Sequence, residues 1–429
     1  MTNLNTHSAV VDFRTARRMV DEYAQGLRPT GLERIPLLQS TGRVLAEAIR
    51  ADRDLPPFSR ATRDGFALRA ADVQHPPVEL HVIAEIRAGA LSPESLPQVK
   101  PGEAVEIMTG APVPPGADAV LMVEYTQRQG AKVSALRTVS PGENIVPRAA
   151  EAQSGAVLLP AGMRLDYAAI AVAASVGICE PAVYRRPRVC VISTGDEVVE
   201  ISVQPGPHQI RNSNSYSLAA QILAAGGEPQ ILSIAPDEPK RLHELLAQGL
   251  DSDLLLLSGG VSMGKYDVVE QALAKFGARF QFTGVLMQPG KPLVFGDAAR
   301  PGAGDARERR TSVRTPFFGL PGNPVSTMVT FEIFARPVIA ALSGALPGTL
   351  RLTFGKLNSP IKTKTGLTRF LPAVLSGAFN ECVVELAPWH GSGDIVATAR
   401  ANCYIVVPPD REHIADGEYV AVMLRGVEI

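Results

Sequence analysis

The chain has 429 residues, of which 45% are hydrophobic and 20% are charged, a composition typical of a globular protein with a sizeable core. At about 150 residues per domain, this length predicts roughly three domains. The 42 basic and 43 acidic residues give a net charge of −1, so the overall charge does not indicate nucleic acid or a membrane surface as a partner. Widely spaced cysteines without a CxxC pair, a polar N-terminus and no long apolar run predict a reduced, cytoplasmic protein without a membrane span.

The N-terminal half combines helical segments with a proline-rich region. Apolar residues recur at helical spacing from Phe13 to Ala24, and a second helix is predicted from about Gly42 to Ala51. From residue 53 to residue 147, frequent prolines interrupt short β-prone segments, which predicts a separate, mostly β domain. An alanine-rich helix is then predicted from Tyr167 to Val176. The two helical regions are therefore expected to form one scaffold that the β domain interrupts.

The central part of the chain alternates short apolar strands with helical segments. Strands are predicted at Pro187–Ile192, Pro229–Ile234, Leu254–Leu257, Phe280–Met287, Leu293–Gly296 and Pro316–Leu320. Helices are predicted at Asn214–Ala225, Lys240–Gln248, Val268–Phe276 and from Val325 to about Leu342. This alternation predicts one doubly wound, mostly parallel sheet with right-handed crossovers. The polar, basic segment Pro301–Thr315 is predicted to be a surface loop between two strands.

After Gly348, short alternating strands return, and about 80 residues predict a small β-barrel. The predicted fold is therefore multidomain α/β plus β. A central doubly wound domain accompanies a β domain inserted in a helical scaffold and a C-terminal small β-barrel. The predicted domains are 8–52 with 148–186 (domain I, scaffold), 53–147 (domain II, β), 187–345 (domain III, α/β) and 346–429 (domain IV, barrel).

Small and polar residues follow the predicted strands of the α/β domain. The strand Leu254–Leu257 stops at Ser258, Gly259 and Gly260, where glycines let backbone N–H groups approach an anion. Comparable strand-end clusters are Thr194-Gly195-Asp196-Glu197, Asp237-Glu238, Ser262 with Asp267, Pro289-Gly290-Lys291-Pro292 and Pro321-Gly322-Asn323-Pro324. Open α/β sheets bind ligands at this edge, so the clusters are expected to converge. Carboxylates beside a phosphorylated ligand imply Mg²⁺ by charge balance.

These motifs resemble those of the molybdopterin molybdenumtransferases, a family that also includes the C-terminal domain of gephyrin. The matching segments occur in family order along nearly the whole chain: Asp64-Gly65, Ile107–Pro112, Ser193–Glu197, Ser258–Ser262 with Asp267, Pro289–Pro292 and Leu320–Ser326. The resemblance implies an elongated four-domain homodimer, with each active cleft between domain III of one subunit and domain II of the other. It also implies ligation of molybdate by adenylylated molybdopterin, and hydrolysis of the adenylate to give the molybdenum cofactor and AMP. A molybdopterin adenylyltransferase is the implied partner protein.

The resemblance implies roles for individual residues. The implied substrate and pterin contacts are Thr109, Thr194, Gly195, Ser258, Gly259, Gly260, Ser262, Lys291, Pro321, Asn323 and Pro324. The implied catalytic residues are Asp64, Asp196, Glu197 and Asp267, and the implied Mg²⁺ ligands are Asp64, Asp237 and Asp267. Structural explanations stay open: Glu197 and Asp237 as helix caps, Thr109 as a turn residue and Pro321 as a purely structural proline.

The chain departs from the family pattern around Asp64. Arg60 and Arg63 stand where the family usually has uncharged residues. They are expected either to attract molybdate or to pair with Asp64 and silence it.

Two further departures lie elsewhere in the chain. The family's Arg-x-Gly-x-Asp segment appears as Arg148-Ala-Ala-Glu151, and Ala149 is expected to forbid a glycine-only backbone there. Gln288 stands where many members have lysine.

Two alternatives to the molybdenumtransferase activity remain. One is a non-catalytic molybdopterin-binding scaffold, and the other is a molybdopterin adenylyltransferase, whose simpler relatives lack both β domains.

Overall fold

A computed structural model describes residues 10–89, 95–236, 238–260, 266–301, 313–345, 348–378 and 381–425. Contacts between residues divide the chain into two units. Unit 1 comprises Met1–Ala46, Gly162–Asp166 and Glu180–Ile429, and unit 2 comprises Glu47–Ala161 and Tyr167–Cys179. The helices are α1 (Phe13–Gln25), α2 (Tyr167–Ser175), α3 (Ser213–Ala225), α4 (Pro239–Leu250), α5 (Tyr266–Ala274), α6 (Pro324–Leu342) and α7 (Ile395–Arg400).

The strands are numbered in chain order. In the first half they are β1 (Val10–Asp12), β2 (Leu32–Arg34), β3 (Ile49–Arg50), β4 (Arg60–Ala61), β5 (Gly65–Leu68), β6 (Val78–Ile86), β7 (Glu103–Ile107), β8 (Ala119–Met122), β9 (Thr126–Gln129), β10 (Lys132–Ala135), β11 (Ile145–Val146), β12 (Val157–Leu159), β13 (Ala182–Tyr184) and β14 (Arg188–Ser193). The others are β15 (Val198–Val199), β16 (Ile210–Arg211), β17 (Glu228–Ile231), β18 (Leu254–Ser258), β19 (Arg279–Phe282), β20 (Gly284–Gln288), β21 (Val294–Ala299), β22 (Arg314–Leu320), β23 (Leu352–Leu357), β24 (Ile361–Lys362), β25 (Thr368–Ser376), β26 (Val383–Leu386), β27 (Cys403–Val407), β28 (His413–Ile414) and β29 (Tyr419–Leu424).

The central sheet of unit 1 has six strands in the order β17-β14-β18-β22-β21-β19. The first three pairings are parallel, whereas β21 pairs antiparallel with both β22 and β19. Strand β18 is buried on both faces, with Leu254 to Leu257 at most 1% exposed, because separate apolar clusters cover the two faces. This arrangement confirms the predicted doubly wound, mostly parallel sheet and brings the carboxyl ends of β14, β18 and β22 to one edge.

The predicted strand Phe280–Met287 is in fact two strands that belong to different sheets. Strand β19 forms the edge of the central sheet, whereas β20 pairs in parallel with β1 and β25. Both halves are apolar and β-prone, so their composition does not reveal that the chain changes sheets between them. The predicted loop Pro301–Thr315 ends earlier than expected: residues 302–312 lie outside the described residues, and β22 already includes Arg314 and Thr315.

The C-terminal region of unit 1 contains the predicted barrel. Strands β25, β26, β23, β29 and β27 follow one another in hydrogen-bonded order, and β25 pairs with β27 to close the ring. Alternate residues of these strands point inward, and Phe370, Tyr404 and Met423 instead join the core beneath the central sheet. The Phe13 ring lies 5.3 Å from that of Phe370 and 6.1 Å from that of Phe334, so α1 packs into the same core.

Helix α6 is a long, apolar helix of this core. Its 19 residues have the length and mean hydropathy of a membrane span, but 67% of the 18-residue stretch that meets this description is buried inside unit 1. The helix has a π-helical turn at Phe331–Ala335, and Phe331, Ile333 and Phe334 in this turn are fully buried. Its hydrophobicity is therefore accounted for by packing against the sheet.

Unit 2 contains the predicted β-rich region. Its main sheet has the order β8-β5-β7-β6-β10-β9, with β6 and β7 parallel and the other neighbours antiparallel. Apolar clusters cover both faces of this sheet. Strand β12 pairs with β3, and helix α2 confirms the predicted alanine-rich helix. The four predicted domain boundaries stay a prediction.

The predicted helix from Gly42 to Ala51 is wrong. In unit 1, Gly42 has φ +76°, and Leu45 bridges to Val183 in extended conformation. In unit 2, Ile49 and Arg50 form β3. The residues have good helix propensity, but pairing with distant segments and burial of Leu45 outweigh it.

Candidate functional site

A cavity of about 440 Å³ opens at the carboxyl edge of the central sheet in unit 1, and we call it the strand-end cavity. It lies where β14, β18 and β22 end and where α3 and α6 begin. The predicted site residues that line it are Thr194, Glu197, Ser258, Gly259, Gly260, Pro321, Asn323 and Pro324. Three turns that are far apart in sequence therefore meet at one cavity, as the α/β rule predicts.

Backbone hydrogen bonds fasten the three strand ends together. The Thr194 N–H donates to the Ser258 carbonyl at 2.9 Å, and the Gly259 N–H donates to the Leu320 carbonyl at 3.2 Å. The Gly259 N–H is thus used within the sheet and is not available to a ligand. The Gly260 N–H has no protein acceptor among the described residues.

The glycine pair at the end of β18 is required by the local geometry. Gly259 has φ +88° and Gly260 has φ +67°, both in the left-handed region. A Cβ on Gly259 would lie 2.6 Å from the Thr194 carbonyl oxygen, and a Cβ on Gly260 would lie 2.5 Å from Thr194 Oγ1. The pair therefore lets two loops approach more closely than any residue with a side chain would permit.

Asn214 joins two of these loops through its side-chain amide. Its Nδ2 donates to Ser258 Oγ at 2.9 Å and to the Gly322 carbonyl at 2.8 Å. Because a carbonyl oxygen only accepts, the second bond fixes the orientation of the amide. The Ser258 hydroxyl accepts from Asn214, so its own proton remains for a ligand. Asn214 was not predicted as a site residue.

A buried polar network supports the start of α3 beneath the cavity. Ser193 Oγ donates to Asn212 Oδ1 at 2.9 Å and lies 2.8 Å from Ser215 Oγ. Asn212 Oδ1 also accepts from the Ser215 N–H at 3.1 Å and so caps the helix. These residues are at most 3% exposed, so the network fixes the N-terminus of α3 against β14.

The electrostatics of the strand-end cavity favour an anion. Glu197 and Arg211 are the charged residues of its lining, and they balance each other. Helices α3 and α6 both begin at the cavity, with Asn212 and Asn323 as their N-cap residues. The helix dipole places partial positive charge at both of these N-termini. Several first-turn N–H groups are already occupied or absent: Pro324 has none, the Val325 N–H donates to the Ser392 carbonyl at 3.0 Å, and the Ser215 N–H donates to Asn212 Oδ1 at 3.1 Å. The potential of the two helix N-termini, more than free first-turn N–H groups, therefore suits phosphate or a similar anion.

Glu197 lies on the rim of the strand-end cavity. A Cβ on Gly195, whose φ is +135°, would lie 2.8 Å from both carboxylate oxygens of Glu197, so this carboxylate covers Gly195. Glu197 precedes strand β15, which excludes a helix-capping role for it. Asp196 is exposed and does not line the cavity, and Lys291 is exposed beside Pro292, which does.

Two of the proposed metal ligands, and the proposed substrate contact Ser262, lie wholly or partly outside the described residues. Asp237 and Ser262 lie outside the described residues, as does the side chain of Asp267, whose backbone is the second residue of α5. Within the described parts of the chain, no three His, Cys, Asp or Glu side chains are close enough to hold a metal ion. Magnesium binding therefore stays a prediction.

In unit 2, two predicted site residues from different loops meet. Asp64 Oδ1 accepts hydrogen bonds from the Thr109 N–H at 2.7 Å and from Thr109 Oγ1 at 2.8 Å. These two bonds, the backbone bond first, lower the pKa of Asp64. The next residue, Gly65, has to be glycine because a Cβ at this position would lie 2.0 Å from the Leu121 carbonyl oxygen. An exposed, ionised carboxylate is thus held in one orientation.

Arg60 does not neutralise Asp64. Its guanidinium lies 3.3 Å from the Glu151 carboxylate, and Arg63 has no ion-pair partner among the residues that the structure describes. Of the two expected effects of these arginines, pairing with Asp64 is thus not observed.

The other two departures also have a structural account. Ala149 adopts φ +63°, in the left-handed region that glycine favours and alanine can also enter, so alanine does not prevent a left-handed turn there; the expectation about a glycine-only backbone stays a prediction. This region is open to alanine at a cost of about 1 kcal/mol. Gln288 Oε1 accepts from Arg369 Nε at 3.0 Å, an interaction that a lysine at this position would replace with repulsion.

Sequence reasoning assigned no site role to several lining residues. They include Ser193 at the end of β14, Pro292 after β20, Ser326 in the first turn of α6, Arg211 and Asn212 before α3, and Asn214 in its first turn. The cluster of Arg211, Asn212 and Asn214 directly before a predicted helix was the available signal, since polar residues at a helix N-terminus beside a strand end face the ligand edge.

The fold and the strand-end cavity define an α/β protein whose ligand edge suits a small anion, and comparisons with known proteins narrow this class. Residues 11–177 match the MoeA N-terminal region (domain I and II), residues 190–341 match a probable molybdopterin binding domain, and residues 355–424 match the MoeA C-terminal region (domain IV). A molybdopterin molybdenumtransferase of a Nostoc species is 36% identical over 91% of this chain and 88% of its own length. The Bacillus subtilis molybdopterin molybdenumtransferase is 34% identical over 91% of this chain and 89% of its own.

Solved structures agree with these matches. The MoeA protein of Pyrococcus horikoshii OT3 superposes with a TM-score of 0.77 at 28% identity and covers 97% of this chain and 100% of its own. The chain belongs to the molybdopterin molybdenumtransferase family.

Proposed function

We propose that the protein inserts molybdenum from molybdate into adenylylated molybdopterin, with release of AMP, in molybdenum cofactor synthesis. The observation that carries this proposal is the meeting of three predicted motif turns, at Thr194, Ser258 and Pro321, around one anion-favouring cavity. A phosphorylated pterin is the kind of ligand that two helix N-termini and a glycine turn suit.

The residues of the strand-end cavity would bind and orient the substrate. The Ser258 hydroxyl and the Gly260 N–H supply hydrogen-bond donors to its phosphate oxygens, and the first turns of α3 and α6 supply the favourable potential. Asn214 holds two of the ligand loops at a fixed separation. Glu197 on the rim would relay protons from the dithiolene thiols to the molybdate oxygen that leaves as water while the metal–sulfur bonds form.

Mg²⁺, when bound, would neutralise phosphate charge, and Asp237 and Asp267 on the substrate side with Asp64 are its proposed ligands. Asp64 would come from the β domain of the second subunit of a homodimer. Its hydrogen bonds to Thr109 keep it ionised, which suits either metal binding or proton transfer.

The decisive experiment measures AMP release by the purified protein from adenylylated molybdopterin with and without molybdate and Mg²⁺. Molybdate-dependent release of AMP is the expected result. Glu197→Gln should reduce it by more than about tenfold. Glu200→Gln, which removes the same charge from an exposed residue outside the cavity, should not. Binding without AMP release would instead favour the non-catalytic scaffold, and consumption of ATP would favour the adenylyltransferase.

A shared active site in a homodimer makes a separate prediction. Asp64→Ala and Glu197→Ala would each inactivate every site of their own dimer. After subunit exchange, a mixed dimer has one site with both residues intact, so an equal mixture should recover about a quarter of wild-type activity. No recovery, with exchange verified by mass spectrometry, would contradict the shared site.

A cytoplasmic location is proposed together with this function. The four cysteines Cys179, Cys190, Cys382 and Cys403 are all free thiols, which fits a reducing compartment. Cell fractionation tests it. The adenylyltransferase that would supply the substrate is proposed as a partner, and co-purification with it tests that contact.

A further inference from the structure

A second cavity in unit 1, of about 260 Å³, has no lining residue in common with the strand-end cavity. It is formed by α1, the C-terminal end of α3, α6 and the segment that follows Gly348. We call it the arginine cavity because four arginines line it: Arg17, Arg164, Arg336 and Arg351. The proposed function uses none of these four side chains.

Carboxylates neutralise two of the four guanidinium groups. Arg17 Nε donates to both carboxylate oxygens of Asp21, at 3.0 and 2.9 Å. Arg336 Nε donates to Glu332 Oε2 at 2.7 Å. Asp21 and Glu332 are the acidic residues of this lining, so its walls keep a surplus of two positive charges.

The other two arginines supply this surplus. Arg164 donates to two backbone carbonyl oxygens, at 2.6 and 3.5 Å. Arg351 is exposed and has no hydrogen-bond or ion-pair partner within the described ranges. Burial first, and then the charges of Arg336, Arg351 and Arg186, lower the pKa of Arg164.

The remaining wall of the arginine cavity is small and apolar. Its members include Ala24, Ala224, Ala340, Ala341, Leu350 and Met423. Alanines on three neighbouring helices leave space that larger side chains would fill. A ligand for this cavity therefore needs both a compact apolar group and a charged group.

We propose that the arginine cavity binds a small organic phosphate, a phosphomonoester with a compact apolar or aromatic body. Guanidinium N–H groups match phosphate oxygens in pairs, and a phosphomonoester carries close to two negative charges at neutral pH. That charge matches the surplus on the walls. A structural role as a link between carbonyl groups accounts for Arg164, but it does not account for Arg351, whose charge has no such partner in the described structure.

Calorimetric titration of the full-length protein with phenyl phosphate tests this proposal. Binding with one site per chain is expected at the arginine cavity, weaker for inorganic phosphate, which lacks the apolar body. Arg351→Ala should weaken phenyl phosphate binding about tenfold or more. Ala341→Leu should weaken it similarly by filling the cavity without a change in charge. Arg18→Ala, which removes the same charge from α1 outside this lining, should leave the Kd within about twofold.

The strand-end cavity also favours anions, so Ser258→Ala distinguishes the two sites. If Ser258→Ala abolishes all phenyl phosphate binding while Arg351→Ala leaves it unchanged, the proposal is overturned. Absence of any binding to the wild-type protein overturns it too. Neither result depends on AMP release, so the proposed function and this inference fail separately.

Discussion

The Asn214 amide joins two loops that both carry proposed substrate contacts, and its removal should let these loops separate. In Asn214→Ala, Ser258 Oγ and the Gly322 carbonyl each lose a hydrogen bond, of 2.9 and 2.8 Å respectively. At about 1 kcal/mol net for each neutral bond, the arrangement of the two loops becomes about 2 kcal/mol less favourable, or about 30-fold in an equilibrium constant. The helix itself should be unaffected, because alanine is the best helix former.

The assay follows AMP release as a function of adenylylated molybdopterin concentration, together with thermal unfolding. We expect Asn214→Ala to lower kcat/KM by about 30-fold while the unfolding temperature falls by only a few degrees. Ser217→Ala is the matched control, because its hydroxyl bonds to the Asn214 carbonyl within the same helix and does not line the cavity. It should leave kcat/KM unchanged.

A double variant distinguishes loop positioning from a merely local loss. Because Ser258 is one of the two acceptors of the amide, the effects of Asn214→Ala and Ser258→Ala should combine to less than their sum by about 1 kcal/mol. Wild-type kcat/KM in Asn214→Ala would refute the positioning argument. So would a loss of activity that follows the unfolding temperature alone.

Three other predictions concern backbone conformation and ionisation. Ala149→Gly should stabilise the protein by about 1 kcal/mol in urea unfolding, because φ is +63° there, whereas Ala150→Gly should destabilise it; the reverse order would contradict the backbone assignment. Thr109→Val should raise the pKa of Asp64 while leaving it below its ordinary value, since the larger backbone bond remains, and a carboxyl NMR titration measures this shift. The lowered pKa stabilises the fold at pH values above the ordinary aspartate pKa, and this contribution is lost as the pH falls through the folded-state pKa. If the pKa of Asp64 were unchanged in Thr109→Val, the hydroxyl hydrogen bond would be absent in solution. Gly259→Ala should lower the unfolding free energy by about 1–2 kcal/mol and reduce AMP release, because φ is +88° there and the new Cβ would lie 2.6 Å from a carbonyl oxygen. Wild-type stability together with wild-type AMP release would contradict the strained turn.

The elements that the sequence predicts well are those with a local signal. Strand β18 is an uninterrupted apolar run that ends in a serine and two glycines, and the α/β rule then places Thr194, Ser258 and Pro321 at one edge. The composition does not indicate that the chain leaves the central sheet after Phe282, because β20 is as apolar as the strands of that sheet. That change of sheet depends on pairing with β1 and β25, which are distant in sequence.

Asn214 and Arg60 illustrate why part of the site was not predicted. The Asn214 amide bonds to Ser258 and Gly322, which lie 44 and 108 positions further along the chain. Arg60 was expected to act on nearby Asp64, but its carboxylate partner, Glu151, is 91 positions away. In both cases the function of the side chain depends on which segments the tertiary fold brings together, and no local pattern contains that information.

The balance of charge in the strand-end cavity indicates which groups bind the substrate and which groups transfer protons in the proposed reaction. Glu197 and Arg211 cancel, so substrate attraction there rests on backbone N–H groups and on the N-termini of α3 and α6, which do not titrate. Fixed dipoles bind an anion without adding a mobile cation, but they do not transfer protons. The dithiolene thiols lose protons as their sulfur atoms bind molybdenum, and the molybdate oxygen that leaves as water gains them. Glu197 on the rim and Asp64 of the β domain are the carboxylates proposed to relay these protons. The proposed reaction thus assigns a role to motifs of both units and not to those of the α/β sheet alone.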